Sequence, residues 1–84
     1  MDTQEQIEAM ETLAEQLGDI ANSYQALIEK MARAQMELDG VDELADISER
    51  LDGPFKHVSN DHEAISSLVD DVQMKINQLG MEDS

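Results

Sequence analysis

The chain has no cysteine, no tryptophan, one phenylalanine, one tyrosine, one proline and only five basic residues among 84. Each shortage excludes something. Without Cys there are no disulfides, thiolate metal sites or thiol nucleophiles, and the redox compartment stays open. Five Lys and Arg against 20 Asp and Glu give a net charge of −15. Such a surface lacks the cations that displace counterions from nucleic acid, and an anionic membrane repels it. There is no run of 18 apolar residues and no basic-then-apolar leader, so the expected location is the cytoplasm, with no membrane contact. A single helical domain is expected, and at this size it buries only about 60% of its unfolded surface.

What is present is a heptad. From Met10 the large apolar residues recur at alternating steps of three and four: Met10, Leu13, Leu17, Ile20, Tyr24, Leu27, Met31, Ala34 and Leu38. With Met10 at position a and Leu13 at d, the register holds to Leu38 without a slip, which is a coiled-coil signature. A third column, Ile7, Ala14, Ala21 and Ile28, runs beside it at e. Three apolar columns make a face broad enough for more than one partner helix. Asp2 or Thr3 is placed to cap the start, and Gly40 to end the helix in the left-handed conformation. A helix over 3–39 is expected, with a turn at 40–41 and Gly18 on its outer face.

The second half carries a stripe at Leu44, Ile47 and Leu51 after Asp42, a candidate cap. Another runs through Val58, His62, Ile65, Val69, Val72, Ile76 and Leu79. Between them lies Asp52-Gly53-Pro54-Phe55, and the stripe slips register there. Proline costs about 3 kcal/mol inside a helix, so the spacing predicts helices at 42–52 and 55–79, joined nearly collinearly at Gly53-Pro54. Asn60 and Glu63 have capping-box spacing. Gly80 is a second stop, followed by a frayed tail over 80–84. The two halves have nearly equal length, as an antiparallel hairpin turning at Gly40 requires. The expected fold is all-α: a long antiparallel helical hairpin whose second arm is broken or kinked at Gly53-Pro54, one long kinked helix over 42–79 being the competing reading. Because one hairpin cannot cover three columns, two copies are expected to join in a four-helix bundle.

The acids occupy the outward positions of the first helix, where a solvated face is the plain reading. Folded as a hairpin, the end holding both termini gathers twelve acids against Lys75 alone, while the turn end has eight against Lys30, Arg33, Arg50 and Lys56. Such a field steers a basic partner. A halophilic origin also fits many Asp and few Lys, but six Met and many Ile speak against it.

Chemistry has little to stand on. His57, Asp61, His62 and Glu63 are the one cluster with ligand character, yet His57 and His62 lie five residues apart and point away from each other. His62 falls in the apolar stripe and reads as a core-edge residue; buried in an interface it would be a pH-sensitive point. No serine has a positioned base, and no glycine-rich loop follows a strand. No catalytic, metal or cofactor-binding residue is therefore assigned, and no cofactor is expected. The chain is read as a non-enzymatic protein–protein interaction module, a small acidic adaptor, regulator or assembly factor. Its expected partner or dimer interface is Met10, Leu13, Leu17, Ile20, Tyr24, Leu27 and Met31 with Ile65, Val69, Val72 and Ile76. The alternative is an inhibitor that mimics nucleic acid, of the kind carried by phages and mobile elements. Its acidic surface would be Glu5, Glu8, Glu11, Glu15, Asp19, Asp61, Glu63, Asp70 and Asp71, set into the basic groove of a nucleic-acid-binding protein. A weaker alternative is a secretion-system substrate or chaperone.

Overall fold

A computed structural model describes residues 2–82. Two helices dominate it: α1, Thr3–Asp39, and α2, Ala45–Glu82, with one 3-10 turn at Asp42–Leu44 before α2 and no strand among the described residues. They lie side by side as a hairpin measuring 63 × 16 × 14 Å. Its radius of gyration is 18.9 Å, against about 12 Å for a compact chain of this length. The molecule is a rod.

Local chemistry sets the first end. The Asp2 carboxylate accepts the Glu5 backbone N–H at 2.8 Å, satisfying an amide that the first helical turn leaves unpaired. The turn differs from the left-handed glycine cap expected at Gly40. Gly40 keeps right-handed helical angles (φ −78°, ψ −7°), and its N–H is shared between the Met36 and Glu37 carbonyls, each at 3.2 Å. The reversal falls to Val41, which is extended (φ −120°, ψ 105°). The Val41 N–H closes onto Leu38 O at 3.1 Å, and the Val41 carbonyl accepts from Leu44 N at 2.9 Å. Asp42 therefore does not cap: Val41 occupies the cap position, without a side-chain bond.

The expected break at Gly53-Pro54 is absent, because α2 runs through Pro54. The residues of α2 withdrawn from solvent explain why. With Leu44 of the 3-10 turn they include Ser48, Leu51, Phe55, Val58, His62, Ile65, Val69, Val72, Ile76 and Leu79, flanked by half-buried Ser59 and Ser66. From Leu44 to Leu79 the steps of this seam series, the two serines aside, alternate four and three from end to end. The slip arises only if Ile47 is placed in the stripe; it is instead 44% exposed, and Ser48 takes the seam. With the seam unbroken, Leu51, Phe55 and Val58 pack on α1 from both sides of Pro54, and that packing outweighs the lost helical bond. Asn60 and Glu63 consequently lie inside the helix and cap nothing. Gly80 does not stop α2 either, since the first turns of α1 still lie alongside: Ile7, Ile76, Asn77, Gly80 and Met81 share one depression. Of the tail expected to fray, residues 80–82 are helical and residues 83–84 lie outside the described residues.

Candidate functional site

Which columns of α1 face α2 decides what remains open. The half-buried positions of α1 include Ile7, Met10, Ala14, Leu17, Ala21, Tyr24, Ile28, Met31, Gln35 and Leu38, an unbroken three–four series. These are columns e and a. Column d is left out: Leu13, Ile20 and Leu27 are 52%, 44% and 42% exposed. The seam thus uses the column with the smaller residues, where Ala14 and Ala21 let the helices approach closely. Gly18 lies on the flank opposite column d and is partly covered rather than outward.

The same rule fixes what stands beside column d. In an antiparallel pair, the residue just before each i, i+3 seam pair lies on the same side of both helices. On α1 these are Gln6, Leu13, Ile20, Leu27 and Ala34; on α2 they are Ile47, Pro54, Asp61, Leu68 and Lys75. Gln6 and Lys75 do share one depression, with Met10, Gln78 and Leu79. Seven-residue steps from that pair set Leu13 beside Leu68, Ile20 beside Asp61, Leu27 beside Pro54 and Ala34 beside Ile47. One flank therefore holds Leu13, Ile20, Leu27, Ile47 and Leu68, which are all the exposed Leu and Ile of the described residues. Met36, Val41, Met74 and Met81 are exposed elsewhere, as single apolar residues ordinarily are, but the exposed Leu and Ile share one side.

The flank also has a shape suited to a helix. Ile20, Ser23, Tyr24 and Leu27 enclose a shallow depression of about 290 Å³. Residues at i, i+3, i+4 and i+7 form the hole that receives one knob of a packed neighbouring helix. Asp71, Met74, Lys75 and Gln78 enclose a second hole of the same spacing on α2.

The expected interface residues thus divide. Met10, Leu17, Tyr24 and Met31 meet the seam residues of α2, among them Ile65, Val69, Val72 and Ile76, inside the hairpin. Leu13, Ile20 and Leu27 stay outside. Ile47 and Leu68 belong with them, and sequence reasoning missed both as surface residues. Their signal was present, since each sits one residue before a seam position of α2. His62 is a half-buried seam residue between Val58 and Ile65, and Met36 points outward at 74% exposure.

The acids divide too. Glu5, Glu8, Glu11, Glu15, Asp19, Asp61, Glu63, Asp70 and Asp71 are all exposed. By register, Glu8, Glu11 and Glu15 lie with Glu63 and Asp70 on the side away from the apolar flank. Asp61 and Asp71 lie on the apolar side. Lys56, on the acidic side, is paired with Asp52 at 3.1 Å, one helical turn away.

Near the turn the seam becomes polar. Ser48, 6% exposed, donates its hydroxyl to Asp39 and accepts from Gln35 Nε2. Gln35 Nε2 also lies 3.3 Å from the Ser48 carbonyl and 3.2 Å from Asp39 Oδ1. This layer ties the arms in one register, because a slip would leave its polar groups unpaired. No helix among the described residues is long and apolar enough to cross a membrane. No protein-family model, curated protein or solved structure matches the chain.

Proposed function

We propose that the chain is a non-enzymatic protein–protein interaction module, a small acidic helical-hairpin adaptor, regulator or assembly factor of the cytoplasm. It works by offering the flank of Leu13, Ile20, Leu27, Ile47 and Leu68 to another helical surface. The observation that carries this reading is the gathering of every exposed Leu and Ile on one side. Apolar burial contributes roughly 25 cal/mol per Å², so covering such a flank is favourable for whatever protein fits it.

Affinity capture with the tagged chain at low and high salt tests the reading. Contact through the flank survives high salt and disappears with Ile20→Asp combined with Leu27→Asp. It tolerates Glu8→Lys, Glu11→Lys and Glu15→Lys together. The reverse pattern, indifference to the flank changes with loss by charge reversal and salt, would overturn it. That outcome belongs to the second reading, a nucleic-acid mimic in a basic groove. The strip of Glu8, Glu11, Glu15, Glu63 and Asp70 supports that reading, since its neighbouring cation Lys56 is engaged by Asp52.

A further inference from the structure

We propose that the occupant of the apolar flank is a second copy of this chain, docked flank to flank with the two hairpins running antiparallel. The inference rests on the interaction reading above and adds the partner and its orientation.

Charge selects the partner. The apolar side of the hairpin comprises the flank and the next column outward on each helix. Over the paired lengths, 6–39 of α1 and 45–81 of α2, its charged residues are Lys30, Arg50 and Lys75 against Glu37, Asp61 and Asp71, and the same columns run on to Asp2 and Glu43 at the ends of the rod. Those paired lengths are formally neutral on that side, in a molecule of net charge −15. Three of the five basic residues are placed there. A face built for a basic protein would carry the acids. A face with equal numbers of both signs is what a copy of itself requires, because an isologous contact must complement its own charges.

Area points the same way. The chain exposes 6239 Å², whereas a compact monomer of 9.4 kDa exposes about 5,000 Å². The excess, roughly 1,200 Å², is more than the about 800 Å² that each partner contributes to a stable protein interface. Among the described residues only Ile76 and Ser48 are buried in the single hairpin. Docking a second hairpin gives every helix a second neighbour, as in a four-helix bundle, and seats knobs in the holes at Ile20–Leu27 and Asp71–Gln78.

Orientation follows from the poles. The end holding the termini is strongly anionic, with Lys75 its sole cation. A parallel dimer would stack two such ends. The antiparallel one separates them by nearly the 63 Å length of the rod, far beyond a Debye length of about 8 Å. It also brings Lys30 and Arg50, in the turn half of one copy, toward the terminal half of the other, where Asp71 lies.

The purified chain alone tests this. Light scattering after size exclusion is expected to give a dimer of about 19 kDa, twice the chain mass. The dimer tightens as salt rises, because the screened charges repel. Ile20→Asp with Leu27→Asp weakens it by about a hundredfold or more, while far-ultraviolet circular dichroism keeps its helical signal. Since the native chain has no cysteine, single cysteines report the orientation cleanly. Ser23→Cys, near the middle, crosslinks to its own copy, whereas Ala34→Cys crosslinks to a Gln6→Cys partner and not to itself. A monomeric wild-type chain at micromolar concentration would overturn the proposal. So would self-crosslinking of Ala34→Cys, which requires the parallel arrangement. A monomer that still captures another protein through the flank would sink self-association alone and leave the interaction reading standing.

Discussion

Ser48 shows how much one small polar residue decides. It sits where an apolar residue is expected, and its neighbour Ile47 lies outside. Its hydroxyl joins Gln35 and Asp39 across the hairpin, the described side-chain bonding nearest the turn that links the two arms. Ser48→Ala removes a donor and acceptor from a buried position. It should cost about 1 kcal/mol, read as a lower midpoint in urea unfolding with an unchanged slope. Ser48→Leu would fill the seam with apolar volume and free the register, so the expected result is two hairpin species in disulfide trapping across the arms. A single trapped register in Ser48→Leu would show that the polar layer does not set the pairing.

The helices themselves were largely legible from spacing, and the exceptions have physical causes. Two columns of α1, d and e, both complete a three–four stripe with column a. Hydrophobicity favours d, with Leu13, Ile20 and Leu27, yet the hairpin packs e, where Ala14 and Ala21 are small. A single chain's sequence records the sum of all its contacts, inside and outside, and does not sort them. Leu13, Ile20 and Leu27 were therefore recognisable as interface residues but not as residues distinct from the seam. The register slip was misread for a related reason, since Ser48 carries no apolar signal. Pro54 was read for its local penalty, while the seam on both sides of it carried the helix through. That penalty persists within α2, so Pro54→Ala should stabilise the molecule by up to about 3 kcal/mol. Gly53 points to open space, with nothing within 4 Å of an added Cβ. Gly53→Ala should add roughly 0.5–1 kcal/mol more. Thermal unfolding of the single and double variants measures both, and a lowered midpoint for Pro54→Ala would mean that the proline shapes the arm rather than burdening it.

At the scale of the whole molecule, the rod combines two opposite faces, one apolar and charge-balanced over the paired lengths of the helices, one acidic. A net charge of −15 on 84 residues opposes any compact state. Raising ionic strength from about 0.01 to 0.15 M shortens the Debye length from about 30 to 8 Å and relieves that repulsion. The expected result is a melting temperature that rises with salt and, for a dimer, with protein concentration. A midpoint insensitive to both would indicate that the acids are not in net opposition and that the single hairpin is stable alone.

Tyr24 lies in the seam, lines the open depression with Ile20, Ser23 and Leu27, and has no tryptophan in the chain to quench it. The molecule therefore carries one intrinsic optical reporter, set where the hairpin's interior meets its apolar flank. Phenol emission followed during dilution would register separation of two copies, and in denaturant it would register separation of the arms, with no label attached.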